Sequence, residues 1–153
     1  MQITDLIVPQ RIACQVHGAS KKRALELLSE LLAQAETGPD QQEIFNSLVA
    51  RERLGGTGLG HGFALPHARI KGGQRPIGAF VRLAAGVDFD AADKQPVDLL
   101  FALLVPEECT EEHLRILSLL AEMFNNKGLR AELRAADSSD ALYDLIRNWR
   151  AAA

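Results

Sequence analysis

Apolar residues recur in the first third of the chain with the spacing of amphipathic helices. A 3.6-residue period after Ser20 predicts a helix that is capped by Ser20, carries leucines on one face and ends near Ala35. A second helix is predicted to begin after Asp40, with Glu43 completing a capping box, and to run to about Leu54. Both helices therefore precede the most unusual stretch of the sequence, which begins at residue 55.

Shorter apolar runs predict strands at residues 11–16, 77–83 and 97–105. The last run is apolar at nearly every position, as expected of a central strand that is buried on both faces. Helices before, around and after these strands predict an α/β sandwich.

Three further helices are predicted after the last strand. Thr110 is expected to cap a helix over residues 111–125, whose core face would carry Leu114, Leu117, Leu120 and Phe124. A break at Lys127-Gly128 precedes a helix over residues 129–135, and Ser139 is expected to cap the last helix.

Composition and charge narrow the class of protein. With 153 residues and 47% apolar content, one domain spanning residues 1–153 is expected. A net charge of −3 disfavours nucleic-acid binding. The N-terminus lacks the features of a secretion signal and no apolar run approaches a membrane span, so we expect a cytoplasmic protein without membrane insertion. Cys14 and Cys109 are accordingly expected to be reduced and mostly buried.

The stretch from Gly55 to Gly62 contains five glycines. A short apolar segment, residues 63–65, follows it and leads to Pro66 and His67. Glycine allows backbone N–H groups to approach a ligand closely. Proline restricts its own backbone and biases Leu65 toward an extended conformation, so His67 is expected at a fixed point just beyond a strand. The glycine spacing matches neither a phosphate-binding P-loop nor a dinucleotide fingerprint. With these two motifs excluded, the candidate functional groups are a glycine loop, a histidine and the flanking arginines.

These residues resemble a known family. The pattern Arg51-Glu-x-Leu, followed by Gly-x-Gly-x-Gly-x-Ala-x-Pro-His ending at His67, is similar to the mannitol/fructose-type IIA domains of the bacterial phosphoenolpyruvate-dependent phosphotransferase system. The segment from Ser20 to Glu26 resembles the nitrogen-regulatory branch of that family. The resemblance covers nearly the whole chain and implies a mixed sheet flanked by helices on both faces.

The resemblance also implies roles for individual residues. His67 corresponds to the histidine that accepts a phosphoryl group, Arg51 to the arginine that steadies the phosphate, and His113 to a second active-site histidine. A planar guanidinium suits phosphate, although Arg53 lies at the same helix end and is the competing choice for this role. A position in the first turn of its helix would favour the neutral form of His113.

The glycine loop itself supplies further candidates. The Thr57 hydroxyl would either donate to the phosphate or only interrupt the glycines, and the backbone N–H groups of Gly58 and Gly60 could cradle the phosphoryl oxygens. His61 is interpreted as an exposed loop residue and Arg69 as a contact at the rim of the site or with solvent. The spacing of His61, His67, His113 and Cys109 fits no common metal site, and we expect neither a metal nor another cofactor.

The implied function is that of a phosphoryl carrier. An HPr-like phosphohistidine protein, itself charged from phosphoenolpyruvate through enzyme I, would phosphorylate His67 and would dock on an apolar collar for which Leu59, Phe63 and Leu65 are candidates. In the nitrogen-regulatory branch the phosphorylation state is the output, with potassium transporters and sensor kinases as targets. Two alternatives stay open: a IIA component that passes the phosphoryl group to a separate IIB in fructose or mannitol uptake, and a non-catalytic binding module with the same fold.

Overall fold

A mixed β-sheet with helices on both faces forms the centre of the protein. This computed structural model describes residues 3–35, 39–71, 75–108 and 110–150, with the side chain of Thr110 excepted. The strands are β1 (Ile12–Val16), β2 (Gly58–Gly60), β3 (Phe63–Ala64), β4 (His67–Ile70), β5 (Ile77–Val87) and β6 (Val97–Pro106). The helices are α1 (Lys21–Leu32), α2 (Gln41–Leu54), α3 (Thr110–Phe124), α4 (Lys127–Ala135) and α5 (Ser139–Asn148), and short 3₁₀ helices span Ile3–Asp5 and Pro9–Arg11.

The sheet has the order β1-β5-β6-β3-β2, and β4 also pairs with β6. Strands β5 and β6 are antiparallel, whereas β3 and β4 both run parallel to β6. Phe63 lies opposite Leu99 and His67 opposite Leu103, so β3 and β4 follow one continuous register along the same side of β6. The two positions are four residues apart on β6, which places His67 about 13 Å further along the sheet than Phe63.

Two apolar layers bury the two faces of the sheet, which confirms the predicted architecture. One layer contains α1 and α2, and the other contains α3, α4 and α5. Strand β6 contributes to both layers because its side chains alternate between the faces. Leu100, Ala102 and Leu104 lie in the first layer, and Leu99, Phe101, Leu103 and Val105 lie in the second.

The first two helices have the predicted caps. The Ser20 hydroxyl accepts a hydrogen bond of 3.1 Å from the Arg23 N–H, and Asp40 accepts one of 2.9 Å from the Glu43 N–H. Helix α2 ends at Leu54 as predicted, whereas α1 ends at Leu32, three residues before the predicted end. Among the helices that the structure describes, none combines the length and the apolarity needed to cross a bilayer.

The predicted core face of α3 is correct for Leu120 and Phe124 but wrong for Leu114. Leu114 is exposed and Leu117 only partly buried, whereas the buried side chains are those of Ile116, Leu120, Met123 and Phe124. Apolar residues surround much of this helix, so the sequence period does not determine which side faces the sheet. The observed face begins one turn earlier with His113, which is 5% exposed.

The predicted starts of the last three helices are each displaced. Helix α3 begins at Thr110, so this residue lies inside the helix and not at its cap. Asn126 caps α4, which places Lys127 and Gly128 in the helix and not in a break before it. Ser138 caps α5 in place of Ser139. Of the two cysteines, Cys14 is a half-buried free thiol, and Cys109 lies outside the described residues.

Candidate functional site

His67 is the first residue of β4, where the edge of the sheet resumes after Leu65 and Pro66. Its Nδ1 lies 2.8 Å from the carbonyl oxygen of Leu65. A carbonyl oxygen only accepts hydrogen bonds, so this contact requires the proton of the neutral ring to be on Nδ1. The lone pair of Nε2 is consequently the one available for reaction.

The surroundings of His67 favour its neutral form. Burial lowers the pKa of the imidazole, and the positive charge of Arg51 lowers it further. The hydrogen bond to Leu65 and the negative charge of Glu52 act in the opposite direction but do not reverse the shift. A neutral imidazole is a nucleophile, so the site keeps His67 in its reactive protonation state at neutral pH.

His113 lies next to His67. The two rings meet edge to face, with centroids 5.4 Å apart and planes inclined by 78°. Burial lowers the pKa of His113 to about 4, with further contributions from the positive charges of His67, Arg69 and Arg51. This lowered pKa favours the neutral form that the sequence predicted, with burial and not the helix dipole as its main cause, and the ring belongs to the fourth residue of α3.

Arg51 and Arg53 both lie in the last turn of α2, and they differ in their relation to the histidines. The charge of Arg51 acts on the pKa of both His67 and His113. Its guanidinium also donates a hydrogen bond of 2.8 Å to the carbonyl oxygen of Gly55, which ties it to the start of the glycine loop. Arg53 is exposed and lines a groove between α1 and α2 together with Lys21. The geometry therefore favours Arg51 for contact with a phosphoryl group.

Glu52 is a functional candidate that the sequence reasoning missed. Its buried carboxylate accepts hydrogen bonds from the hydroxyl and the N–H of Thr57 and lies 3.1 Å from Nζ of Lys21. A signal was present, because an acidic residue in the last turn of a helix faces the negative end of the helix dipole. Such a locally unfavourable residue indicates a tertiary partner or a functional site.

This network changes the interpretation of Thr57. The Thr57 side chain is buried and its hydroxyl donates to Glu52, so the structure shows that hydroxyl directed at a carboxylate and not at His67. The carbonyl oxygen of Thr57 accepts from the N–H of Leu65 at 3.0 Å. Since the Leu65 carbonyl in turn holds His67, the network reaches the imidazole through two backbone links.

The two glycines of the predicted phosphate cradle lie in a strand. Gly58 pairs with Ala64 and Gly60 with Phe63, and Phe63 lies about 13 Å from His67 along the sheet. Part of the expected glycine loop is thus strand β2. A Cβ atom at Gly58 would lie 2.9 Å from the Cβ of Ala91, so a close approach between two segments explains this glycine.

Two other residues near the glycines have different environments. His61 is exposed, as predicted, and its N–H donates to Asp93 at 2.9 Å. Arg69 is also exposed, but its Nε donates a hydrogen bond of 3.2 Å to Nδ1 of His113. Arg69 therefore contacts the site directly, which its interpretation as a rim or solvent residue did not anticipate.

The expected apolar collar is only partly correct. Leu59 is 51% exposed, but Phe63 and Leu65 are 2% and 4% exposed and belong to the core. Two large apolar side chains that the prediction omitted, Leu54 and Leu114, are 85% and 61% exposed. Leu54 ends the helix that carries Arg51, and Leu114 follows His113, so both flank residues of the site.

Comparisons with known proteins find relatives over nearly the whole chain. Residues 5–149 match the family described as the phosphoenolpyruvate-dependent sugar phosphotransferase system, EIIA 2. A nitrogen regulatory protein from Pseudomonas aeruginosa is 48% identical, with 95% of each chain covered, and a fructose-specific EIIA component from Haloferax volcanii is 36% identical, with 95% and 97% covered. The crystal structure of the nitrogen regulatory protein IIA-Ntr from Neisseria meningitidis superposes with a TM-score of 0.89 at 40% identity, covering 94% of this chain and 98% of that one.

Proposed function

Because the chain belongs to the EIIA 2 family of the phosphoenolpyruvate-dependent sugar phosphotransferase system, we propose that it is a phosphoryl carrier whose acceptor atom is Nε2 of His67. The donor is an HPr-like phosphohistidine protein, which receives its phosphoryl group from phosphoenolpyruvate through enzyme I. The carrier works in the cytoplasm as one IIA-type domain, without a metal or a nucleotide.

One observation carries the choice of atom, namely the hydrogen bond from Nδ1 of His67 to the Leu65 carbonyl. It leaves Nε2 with a lone pair and prevents the ring from rotating freely. The lowered pKa of His67 keeps that lone pair unprotonated at neutral pH. A general base is therefore unnecessary, since the nucleophile has no proton to lose.

Positive groups support the transferred phosphoryl group. Arg51 acts electrostatically on both histidines and Arg69 on His113, and the planar guanidinium of Arg51 can make two parallel hydrogen bonds to phosphoryl oxygens. Most of the catalysis of phosphoryl transfer comes from such positioning and charge stabilisation. His113, neutral and edge-on to His67, supplies a hydrogen-bond donor beside the acceptor atom.

Docking of the donor is proposed at the exposed leucines that flank the site. Leu54, Leu59 and Leu114 expose apolar surface that a folded chain does not need for its own core. Apolar side chains of this kind supply much of the binding energy at protein interfaces, while nearby arginines fix the orientation of the partner. This assignment retains Leu59 from the predicted collar and replaces the buried Phe63 and Leu65 with Leu54 and Leu114.

Phosphorylation state is proposed to be the output of the protein. A phosphoryl group on His67 adds a charge of about −1.5 to −2, which changes the partners that can bind at this surface. Similarity to a nitrogen regulatory protein over 95% of both chains supports a regulatory role, with potassium transporters and sensor kinases as the proposed targets.

Sugar uptake is the second candidate function. The 36% identity to a fructose-specific EIIA component, over 97% of that protein, supports a chain that passes its phosphoryl group to a separate IIB. A non-catalytic binding module is less well supported, because the neutral His67 with a free Nε2 beside Arg51 and His113 is suited to transfer.

The test is intact mass spectrometry after incubation with phosphoenolpyruvate, enzyme I and an HPr-type carrier. One acid-labile phosphoryl adduct is expected on the wild type and none on His67→Ala. His17→Ala is the matched control, because it removes an exposed histidine outside the site and should leave the adduct intact. An adduct on His67→Ala, or no adduct on the wild type with a competent donor, would contradict the proposal. Chase of the adduct with a fructose-type IIB distinguishes the uptake function from the regulatory one.

A further inference from the structure

Arg69 and His67 share one face of β4. Side chains two residues apart on a strand point to the same side, whereas Ala68 and Ile70, between and after them, are buried on the other face. Helix α3 lies against the side that carries His67 and Arg69, and its buried stripe begins with His113. The strand and the helix thus bring three basic side chains together.

The contact within this group is directional. Nε of Arg69 donates to Nδ1 of His113 at 3.2 Å. A guanidinium has only donors and no acceptor, so it is compatible with a lone pair on Nδ1 and incompatible with a proton there. A neutral His113 must then carry its proton on Nε2.

Nε2 of His113 has no hydrogen-bond partner in the described part of the chain, although the residue is only 5% exposed. Buried polar side-chain atoms in folded proteins usually have a partner, and an exception requires an explanation. Here the unpaired group is an N–H donor next to the proposed phosphoryl acceptor. A phosphoryl oxygen on His67 would supply the hydrogen-bond acceptor that this N–H lacks.

On these grounds, and resting on the proposed function, we propose that Arg69 is a positioning residue for phosphoryl transfer: it holds the proton of His113 on Nε2, from which the ring donates to the phosphoryl group arriving at His67. Arg69 acts through His113. The same contact opposes protonation of Nδ1, since that would place two donors against each other.

The transfer step itself involves no proton from either residue. The lone pair of His67 Nε2 forms the new N–P bond while the N–P bond of the donor phosphohistidine breaks, and the electron pair of that bond stays on the donor nitrogen. His67 keeps its proton on Nδ1, bound to Leu65. His113 contributes a hydrogen bond to a phosphoryl oxygen, which is worth most where charge develops in a site that excludes water.

The test compares the wild type with Arg69→Met, Arg69→Lys and Arg115→Met. Methionine removes the donors at similar length, lysine retains a cation that can only donate, and Arg115→Met removes the same charge from an exposed position on α3, two residues after His113. Two-bond ¹H–¹⁵N NMR spectra of the unphosphorylated protein report the tautomer of His113, and steady-state phosphorylation by an HPr-type donor gives kcat and KM separately.

We expect a single Nε2–H tautomer of His113 in the wild type and in Arg115→Met. In Arg69→Met we expect a mixture of tautomers and a fall in kcat of about tenfold with little change in KM, because loss of one aligned donor affects the transition state more than docking. Lysine should restore both readouts together.

Three results would overturn the inference. The first is an unchanged tautomer in Arg69→Met, whatever its rate. The second is a changed tautomer with wild-type kcat. The third is a rate that Arg69→Lys restores without restoring the tautomer, since charge alone would then explain Arg69. Absence of phosphorylation on the wild type is a different failure: it removes the proposed function and with it the role in transfer, while the NMR spectra still show whether Arg69 fixes the ring.

Discussion

Thr57→Val should destabilise the fold more than it slows phosphorylation. The Thr57 side chain is buried, and its hydroxyl donates to the carboxylate of Glu52, which also accepts from the Thr57 N–H at 3.3 Å and lies 3.1 Å from Nζ of Lys21. Valine keeps the branched shape but places a methyl group against that carboxylate. The variant therefore removes one charged hydrogen bond and leaves the others in place.

The expected loss follows from the type of bond. A hydrogen bond to a charged group contributes about 1.5–3 kcal/mol to stability. Since Glu52 retains its contacts with Lys21 and the Thr57 N–H, the carboxylate is not left unpaired, and a loss of about 2 kcal/mol is expected. For a domain of this size that loss lowers Tm by about 4–8 °C.

The assay is urea unfolding at pH 7 in parallel with the initial rate of phosphorylation. Thr57→Ser is the matched control, because it keeps the hydroxyl and removes only a methyl group, so it should cost about 1 kcal/mol. A Thr57→Val protein as stable as the wild type but strongly slowed in phosphorylation would refute the reasoning. It would return Thr57 to the alternative role of a direct phosphate donor.

Other expected outcomes concern pH, packing and docking. The free energy of unfolding should fall as the pH is lowered from 6.5 to about 4, because the unfolded chain takes up a proton on His113 that the folded protein does not. Urea titrations across this range should show a weaker pH dependence of stability in His113→Gln than in the wild type. An unchanged pH dependence would contradict the lowered pKa of His113. Gly78→Ala should cost about 1–3 kcal/mol, since its Cβ would lie 2.7 Å from the Phe101 ring; wild-type Tm would show that the ring moves freely aside. Leu114→Ser should raise KM for the donor by roughly tenfold without lowering Tm, because this side chain is 61% exposed; an unchanged KM would exclude Leu114 from the docking surface.

The sequence predicted the elements whose signals are local. Ser20 and Asp40 cap the helices that they were expected to cap, because an N-cap depends on the three residues that follow it. The run at 97–105 is the central strand β6, because its continuous apolarity requires burial on both faces. His67 and His113 lie together as the resemblance implied, with ring centroids 5.4 Å apart.

The prediction errors arose where tertiary contacts determine the secondary structure, the buried face of a helix or the role of a residue. Gly58–Gly60 forms a strand only because Phe63–Ala64 folds back to pair with it, and no local pattern announces that pairing. The core face of α3 depends on which of two apolar sides meets the sheet. Arg69 and Glu52 each acquire their importance from one partner that is distant in sequence, His113 and Lys21.

The proposed phosphoryl group on His67 would complete contacts that the free site lacks. In the free protein, burial and the charge of Arg51 lower the pKa of both histidines, and the buried Nε2 of His113 lacks an acceptor among the described residues. A phosphoryl group of about −2 charge on His67 would satisfy both the cations and the donor. The buried carboxylate of Glu52, whose charge acts on His67, is paired with Lys21 at 3.1 Å, so it would oppose the incoming charge less than an unpaired carboxylate would. In the proposed carrier, the same arrangement would keep transfer reversible, because it would stabilise the phosphoryl group through hydrogen bonds and charges that a competing partner can replace.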